Sequence, residues 1–398
     1  MAYGGEAIGR LPDGRVVFIP YAIPGETVRA RIVEEKPRHV RAELVEVVSA
    51  SAERIMPRCQ HFSICGGCHY QHMNYPAQLK AKANIFQEQM ERIGGIKNVP
   101  LIEIKTAPEP WRYRNHIQFH VSVEGKLGFQ RARSNKPFAI RECHLPEVLI
   151  NQLWPQIDLE PIPGLDRVSI RLGTADEMML ILESSARQLV GFSIEDLAVS
   201  VVQVGKVGSV VLAGSDHIMM EVAGRYFKVS PTSFFQVNTS QADAMVKHLL
   251  EYLPLTQNMT ILDVYSGVGL FSAFMAPNVK RLVGIEISPE ACEDFTTNLD
   301  EFDNVELYEA PAEKVLGSVH FNPDLILMDP PRTGLGRETV EGILAQGANR
   351  LVYISCDPAT LARDSRQLTI GGYSLKKLSL FDMFPQTYHI ESISFWEK

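Results

Sequence analysis

From Gln241 onward, apolar strand-like runs alternate with helical stretches, and this rhythm leaves few folds open to the chain. The runs are Thr260–Val264, Arg281–Ile287, Asp324–Met328 and Arg350–Ile354. Helical stretches such as Pro289–Asn298 and Arg337–Ala345 lie between them. Strands joined through helices must run parallel, because each helix carries the chain back to the starting edge. The expected product is a doubly wound α/β domain, with ligands at the carboxyl ends of its strands.

The 398 residues exceed one such domain. Residues 1–50 read as short strands and turns, with Leu11–Arg15 and Ile23–Glu26 as turns and Thr27–Glu34 and His39–Val48 as strands. That spacing suggests a small β-barrel, and the abrupt start suggests that its first strand is missing. Asn74 is placed to cap a helix over 75–93, with Pro76 in its first turn and Gly94-Gly95 at its end. Leu79, Ala83, Phe86, Met90 and Ile93 form its apolar stripe, a face that could pack on the catalytic domain. Strands are expected at Ile117–Val123, Val168–Leu172, Met178–Leu182, Val199–Val204 and Arg225–Val229. The domains expected are therefore 1–52, 53–230 and 231–398.

Hydrophobic residues make up 45% and charged residues 22%, which excludes wholesale disorder and a collagen-like fibre. No apolar run approaches the ~18 residues of a membrane span, and no secretory signal opens the chain. Six cysteines are too few for a disulfide scaffold, so a cytoplasmic location is expected, with clustered cysteines as metal ligands or catalytic groups; a monomer is expected as well. The net charge is −8, yet residues 105–144 carry eight Lys/Arg against three Asp/Glu, and residues 231–398 carry twelve against twenty-two. A polyanion would be met by the middle of the chain.

The first α/β strand runs through Asp263 into Tyr265-Ser266-Gly267-Val268-Gly269. A third glycine, required for a dinucleotide pyrophosphate, is replaced by Ser272. An acidic residue before Gly-x-Gly instead suits S-adenosylmethionine, whose tail is cationic and lacks pyrophosphate. Glu286 ends the next strand, where a carboxylate can accept ribose hydroxyls. Alone, Asp263 could be no more than a turn cap.

Two further strands run into Asp329-Pro330-Pro331-Arg332 and Ser355-Cys356-Asp357-Pro358, and His389-Ile390-Glu391-Ser392 lies near the end. A thiol at a strand tip is either packing or a nucleophile. Carbon 5 of uracil is a poor nucleophile until a thiolate adds at carbon 6. A base must later remove the hydrogen at carbon 5, and Glu391 is a candidate. Position alone would leave Glu391 as a surface residue.

The run Ser355-Cys356-Asp357-Pro358-Ala359-Thr360-Leu361-Ala362-Arg363-Asp364, with His389–Ser392 downstream, resembles the RNA uracil-5-methyltransferase family across almost the whole chain. The resemblance implies a Rossmann-type S-adenosylmethionine-dependent methyltransferase domain, an N-terminal TRAM (oligonucleotide-binding-like) barrel and a β-rich iron–sulfur domain. It puts the nucleophile on Cys356 and the proton acceptor on Glu391. It puts cofactor contacts on Gln236, Tyr265, Glu286 and Asp329, beside Asp263, Gly267 and Gly269. Tyr265 and Leu270 stand where relatives often have phenylalanine and asparagine, so the resemblance implies no polar contact at Leu270, and Ala310 stands where some relatives have a polar residue.

Cys59, Cys65, Cys68 and Cys143 could bind zinc or an iron–sulfur cluster. Three close cysteines and one remote favour the cluster, and the resemblance implies [4Fe–4S]. Cys292 reads as packing. Trp111–His120 interleaves aromatics with cations, a pattern able to stack bases and bind phosphate. Arg112, Arg114, Arg131 and Arg133 are expected on RNA, as are Arg29, Arg31, Lys36, Arg38 and Arg41 in the barrel. The target base must leave its stack to meet Cys356.

The substrate implied is 23S ribosomal RNA, with the tRNA T-loop uridine as runner-up. A DNA amino-methyltransferase is disfavoured, because Arg332 replaces the aromatic expected after Asp329-Pro330-Pro331. A non-catalytic iron–sulfur RNA-binding factor and an iron–sulfur electron carrier are the readings from other classes. Neither needs Cys356, Glu391 or the glycine turn.

Overall fold

The computed structural model describes residues 1–122, 124–157, 159, 162, 164–185, 198–206 and 208–398. The first four strands are β1 (Glu6–Arg10), β2 (Val16–Pro20), β3 (Thr27–Glu35) and β4 (His39–Ser49), in the order β1-β2-β4-β3. Asp13-Gly14 closes the first hairpin, with Gly14 at φ +87°, where a side chain would be strained. Alternation turns Val17, Ile19, Val40 and Ala42 onto one small core. The sheet is open, with β1 and β3 as its edges, where a closed barrel was expected. Val28 and Ala30 of β3 pack on that core, but its second half is exposed and β3 and β1 are not paired.

Helix α1 (Tyr75–Arg92) is capped as its sequence requires: Asn74 Oδ1 accepts from the Ala77 N–H at 3.0 Å. Its buried face is rotated from the expected stripe. Ala77, Gln78, Ala81, Lys82, Ile85, Phe86 and Met90 point inward, while Ile93 is exposed. Two polar residues share that face because each finds a buried partner, Gln78 with Gln386 and Lys82 with Asp382. The helix lies against the helix Pro358–Ile370 of the C-terminal α/β unit, and Ile85, Phe86 and Met90 enter the same apolar core.

Strand β5 (Leu101–Lys105) pairs parallel with a C-terminal strand of the α/β sheet, although it lies within the expected central domain. The central sheet contains β6 (His116–Val121), β7 (Leu127–Gln130), β8 (Pro137–Ala139), β9 (Leu165–Leu172), β10 (Met178–Ser184), β11 (Ser200–Gly205) and β12 (Gly208–Ala213). Their order is β12-β11-β10-β9-β6-β7-β8. Helix α2 (Val148–Leu153) covers it, and Phe119, Val168, Ile170, Leu180 and Leu182 fill the space between. Val123, the expected end of β6, lies outside the described residues. A hairpin, β13 (Ile218–Val222) and β14 (Arg225–Val229), leads into the last domain.

That domain runs α3 (Thr239–Tyr252), β15 (Thr260–Val264), α4 (Leu270–Met275), β16 (Arg281–Glu286), α5 (Pro289–Asn298), β17 (Val305–Glu309), α6 (Ala312–Ser318) and β18 (Leu325–Met328). It continues with α7 (Arg337–Gln346), β19 (Arg350–Ser355), α8 (Pro358–Ile370), β20 (Ser374–Phe381) and β21 (Glu391–Glu397). The sheet order is β17-β16-β15-β18-β19-β21-β20-β5. Strands β15 to β19 are mutually parallel, and β21 is antiparallel to both neighbours. The chain winds outward from β15 to β17 and then returns to β18. Between the tips of β15 and β18 lies the switch point where such sheets bind ligands. No helix among the described residues is long and apolar enough to cross a membrane.

Candidate active site

The switch point is lined with acid. Gly267 and Gly269 take φ +54° and +86°, and a Cβ on Gly269 would fall 2.3 Å from Leu299 Cδ1. The turn can therefore close on the end of α5 only with glycine at 269. The Gly267 N–H donates to Glu286 Oε2 at 2.9 Å, tying the turn to the tip of β16. Glu286 Oε1 accepts from the N–H groups of Ile287 and Ser288. Asp263 is buried; its Oδ2 accepts from Ser272 Oγ at 2.5 Å, and its Oδ1 has no partner.

Burial, reinforced by Glu286 and opposed by Ser272, pushes the Asp263 carboxyl up to about 7. Burial and the charge of Asp263 push Asp329, at the tip of the adjacent β18, up to about 8. An orphaned carboxylate oxygen and clustered acid suit a cationic ligand, which would relieve the mutual repulsion. Tyr265 is half-buried at φ +68°, with its hydroxyl 3.4 Å from Thr339 Oγ1. Gln236 is buried before α3, and its backbone carbonyl accepts from Asn115 Nδ2. Leu270 is part of the apolar core, which accounts for the missing polar residue there.

Cys356 follows the last residue of β19. Asp357 caps α8, its Oδ1 accepting from the N–H groups of Ala359 and Thr360 and its Oδ2 from the Tyr3 hydroxyl at 2.6 Å. Ser355 lies opposite Ser392 across the β19–β21 ladder, so Cys356 and Glu391 face each other one step beyond. Burial raises the Cys356 thiol to about 12; Glu391, Asp329 and Asp357 add to this, and Arg332 opposes it. Glu391 is buried and raised well above the usual carboxylate range by desolvation and by Asp329, again against Arg332. Thiol, carboxyl and guanidinium thus share one small volume beside the acidic crevice. His389 is held neutral, pushed down to about 3 by burial and by Arg332, which lies 3.2 Å away.

Cys59, Cys65, Cys68 and Cys143 line one cavity of about 250 Å³ between the 59–68 loop and the central sheet. All four are free thiols, and the Gly67 N–H donates to Cys65 Sγ at 3.4 Å. No three His, Cys, Asp or Glu side chains among the described residues converge as they would around a single metal ion. Cys292 is buried in α5.

The expected RNA contacts are divided. Arg112 is exposed, and exposed Arg131 lies over the Phe138 ring. Arg114 is half-buried against the cysteine cavity, and Arg133 is ion-paired with Glu6 of β1. Arg29, Arg31, Lys36 and Arg41 pair with Glu46, Glu43, Glu34 and Glu6, so much of that sheet's positive charge is already matched. Tyr113 and Phe119 are buried, the Tyr113 hydroxyl donating to the Pro385 carbonyl at 3.0 Å; neither is free to stack on a base. The sequence pattern missed Gln78, Lys82, Tyr3 and residues 382–388 of the loop, whose partners lie hundreds of residues away along the chain.

Residues 178–398 match the tRNA (uracil-5-)-methyltransferase family, and residues 2–45 match the TRAM domain. An uncharacterized RNA methyltransferase of Aquifex aeolicus is 36% identical, the alignment covering 100% of this chain and 96% of that protein. One from Halalkalibacterium halodurans is 34% identical, covering 100% of this chain and 95% of the relative. The fold is that of the Pyrococcus abyssi tRNA (uracil-54, C5)-methyltransferase, solved with S-adenosyl-L-homocysteine: TM-score 0.74, 24% identity, covering 98% of this chain and 100% of the other. Acidic crevice, facing thiol and carboxyl, and these likenesses lead to one conclusion: the chain is an RNA methyltransferase belonging to the uracil-5-methyltransferase family, with a TRAM domain at its N-terminal end.

Proposed function

We propose that the protein transfers a methyl group from S-adenosylmethionine to carbon 5 of a specific uridine in 23S ribosomal RNA. The observation that carries this reading is the pair Cys356 and Glu391 facing each other beside the acidic crevice. Cys356 loses its proton to solvent and its thiolate bonds carbon 6, which makes carbon 5 nucleophilic toward the methyl group. Glu391 then takes the hydrogen from carbon 5, and the thiolate leaves as the double bond re-forms. Burial makes Glu391 a stronger base once ionised, and Arg332 is the cation that favours both anions. The tRNA T-loop uridine is the second reading, favoured by the likeness to the Pyrococcus abyssi tRNA enzyme. Purified protein should place 5-methyluridine in an unmodified 23S transcript; methylation of a tRNA transcript alone would select the second reading, and of neither would contradict both.

Asp263, Asp329 and Glu286, with Gln236, Tyr265, Gly267 and Gly269, would hold the cofactor. A pH dependence follows from the raised carboxyls. Asp263 and Asp329 are protonated in the free protein below about 7 and about 8. A folded pKa above the unfolded value stabilises the free protein at low pH, and that contribution fades as pH rises through the folded pKa. A cationic cofactor favours the ionised forms, so its binding releases protons. Affinity should rise with pH from about 6 to 8, and calorimetry in buffers of different ionisation enthalpy should read the released protons. A flat profile without proton release would contradict this placement.

The four-cysteine cavity exceeds what one ion needs, and its four thiols, set among His61, Glu142, His144 and apolar side chains, suit a [4Fe–4S] cluster held by Cys59, Cys65, Cys68 and Cys143. Such a cluster would brace the 59–68 loop against the segment carrying Cys143. Anaerobically prepared protein should contain about four iron and four sulfide per chain, as one such cluster requires. Stoichiometric zinc without sulfide would contradict it. Exposed Arg112 and Arg131 are the first RNA contacts to test, since Arg133 already has a partner. The domain boundaries proposed are 1–52, 53–230 and 231–398, with α1 and β5 added to the last unit.

A further inference from the structure

The loop between β20 and β21 ends at Glu391; within it Thr387 bonds the Phe384 carbonyl and the His389 N–H, and its other hydrogen bonds run to the rest of the chain. Its fixed point is Gln386, which is buried and takes φ +69°, a conformation that strains a residue other than glycine. Every polar atom of Gln386 is engaged from outside the loop. Its N–H donates to Gln78 Oε1 at 3.0 Å, and its side-chain Oε1 accepts from Gln78 Nε2 at 3.0 Å. Its carbonyl accepts from the N–H groups of His69 and Tyr70, at 2.8 and 3.0 Å, and its Nε2 donates to the Pro110 carbonyl at 3.4 Å. Gln78 Nε2 also reaches the carbonyls of Tyr70 and Met73, so the amide is itself fixed. A second anchor holds the loop's start: Lys82 Nζ donates to Asp382 Oδ1 at 2.6 Å and to the Phe384 carbonyl at 2.9 Å. The Gln78 and Lys82 side chains thus grip the loop from successive turns of one helix face.

We infer that Gln78 is a positioning residue for Glu391, its reciprocal amide pair with Gln386 holding the loop so that the carboxyl faces Cys356. The inference rests on Glu391 being the proton acceptor. It also gives the segment just after Cys68 a second task, since His69 and Tyr70 grip the same carbonyl.

A positioning role and a merely structural role separate kinetically. Gln78→Met keeps the volume and removes both bonds of the pair with Gln386, along with those to the Tyr70 and Met73 carbonyls. The variant should form the covalent protein–RNA species at the wild-type rate but release methylated RNA about 10-fold more slowly, so that the species accumulates. Hydrogen exchange across residues 384–391 should quicken with it. Where Gln78→Met fails to fold, Gln386→Gly, which takes φ +69° without strain but lacks the amide, should show the same separation. Release at the wild-type rate, or formation and release slowed equally, would overturn the inference. Glu391→Gln run alongside tells the two readings apart: if it accumulates the species and the Gln78 and Gln386 variants do not, only the positioning role fails. If Glu391→Gln does not accumulate it, the base assignment fails and this inference with it.

Discussion

Cys356→Ala should give no 5-methyluridine and no covalent protein–RNA species, with folding and cofactor affinity close to wild type. The thiol stands one residue beyond β19, and the cap of α8 is made by Asp357, so alanine leaves the local structure in place. The carboxyls of the crevice lie on β15 and β16 and just beyond β18, and do not depend on it. What is lost is the bond to carbon 6, without which carbon 5 does not attack. Removal of a covalent nucleophile typically costs on the order of 10⁴-fold or more. A scintillation assay with labelled cofactor and a denaturing gel check both halves; methylation within 10-fold of wild type would show that Cys356 is packing.

Glu391→Gln should fail later in the reaction. Glutamine keeps the size of the side chain in a buried site and removes the group that accepts a proton. Attack and methyl transfer precede that step, so both should proceed, and the protein should stall bonded to methylated RNA. A general base contributes about 10²–10⁴-fold, so slow release is compatible with the role. The substitution also removes a group that raises the Cys356 thiol, so attack should be no slower than in the wild type. The double variant with Cys356→Ala should show no stalled species.

Local signals in the sequence were the ones that carried to three dimensions. Pro289–Asn298 and Thr260–Val264 have the limits their sequences suggest, and Asn74 caps its helix through the bond its side chain offers. The crevice was legible because acid, glycine turn and strand tip lie within seven residues, from Asp263 to Gly269. The tail pairing was not: β21 alternates serine with large apolar residues and sits between two strands, a context no local pattern carries. The face of α1 was misjudged because burial of Gln78 and Lys82 depends on Gln386 and Asp382, about 300 residues away. The surroundings of the aromatic and basic run were illegible for the same reason. Tyr113 looks like a stacking aromatic until Pro385 takes its hydroxyl, and Arg133 looks free until Glu6 meets it. The closed barrel was inferred from strand spacing, which does not say whether the edge strands β1 and β3 pair.

Intact-mass spectrometry of the Glu391→Gln reaction, quenched in denaturant, reads the chemistry at Cys356 and Glu391 together. The expected mass is one protein, one RNA and one added methyl group, dependent on S-adenosylmethionine and absent when Cys356 is also alanine. Free protein of unchanged mass, with methylated RNA released at the wild-type rate, would contradict the account.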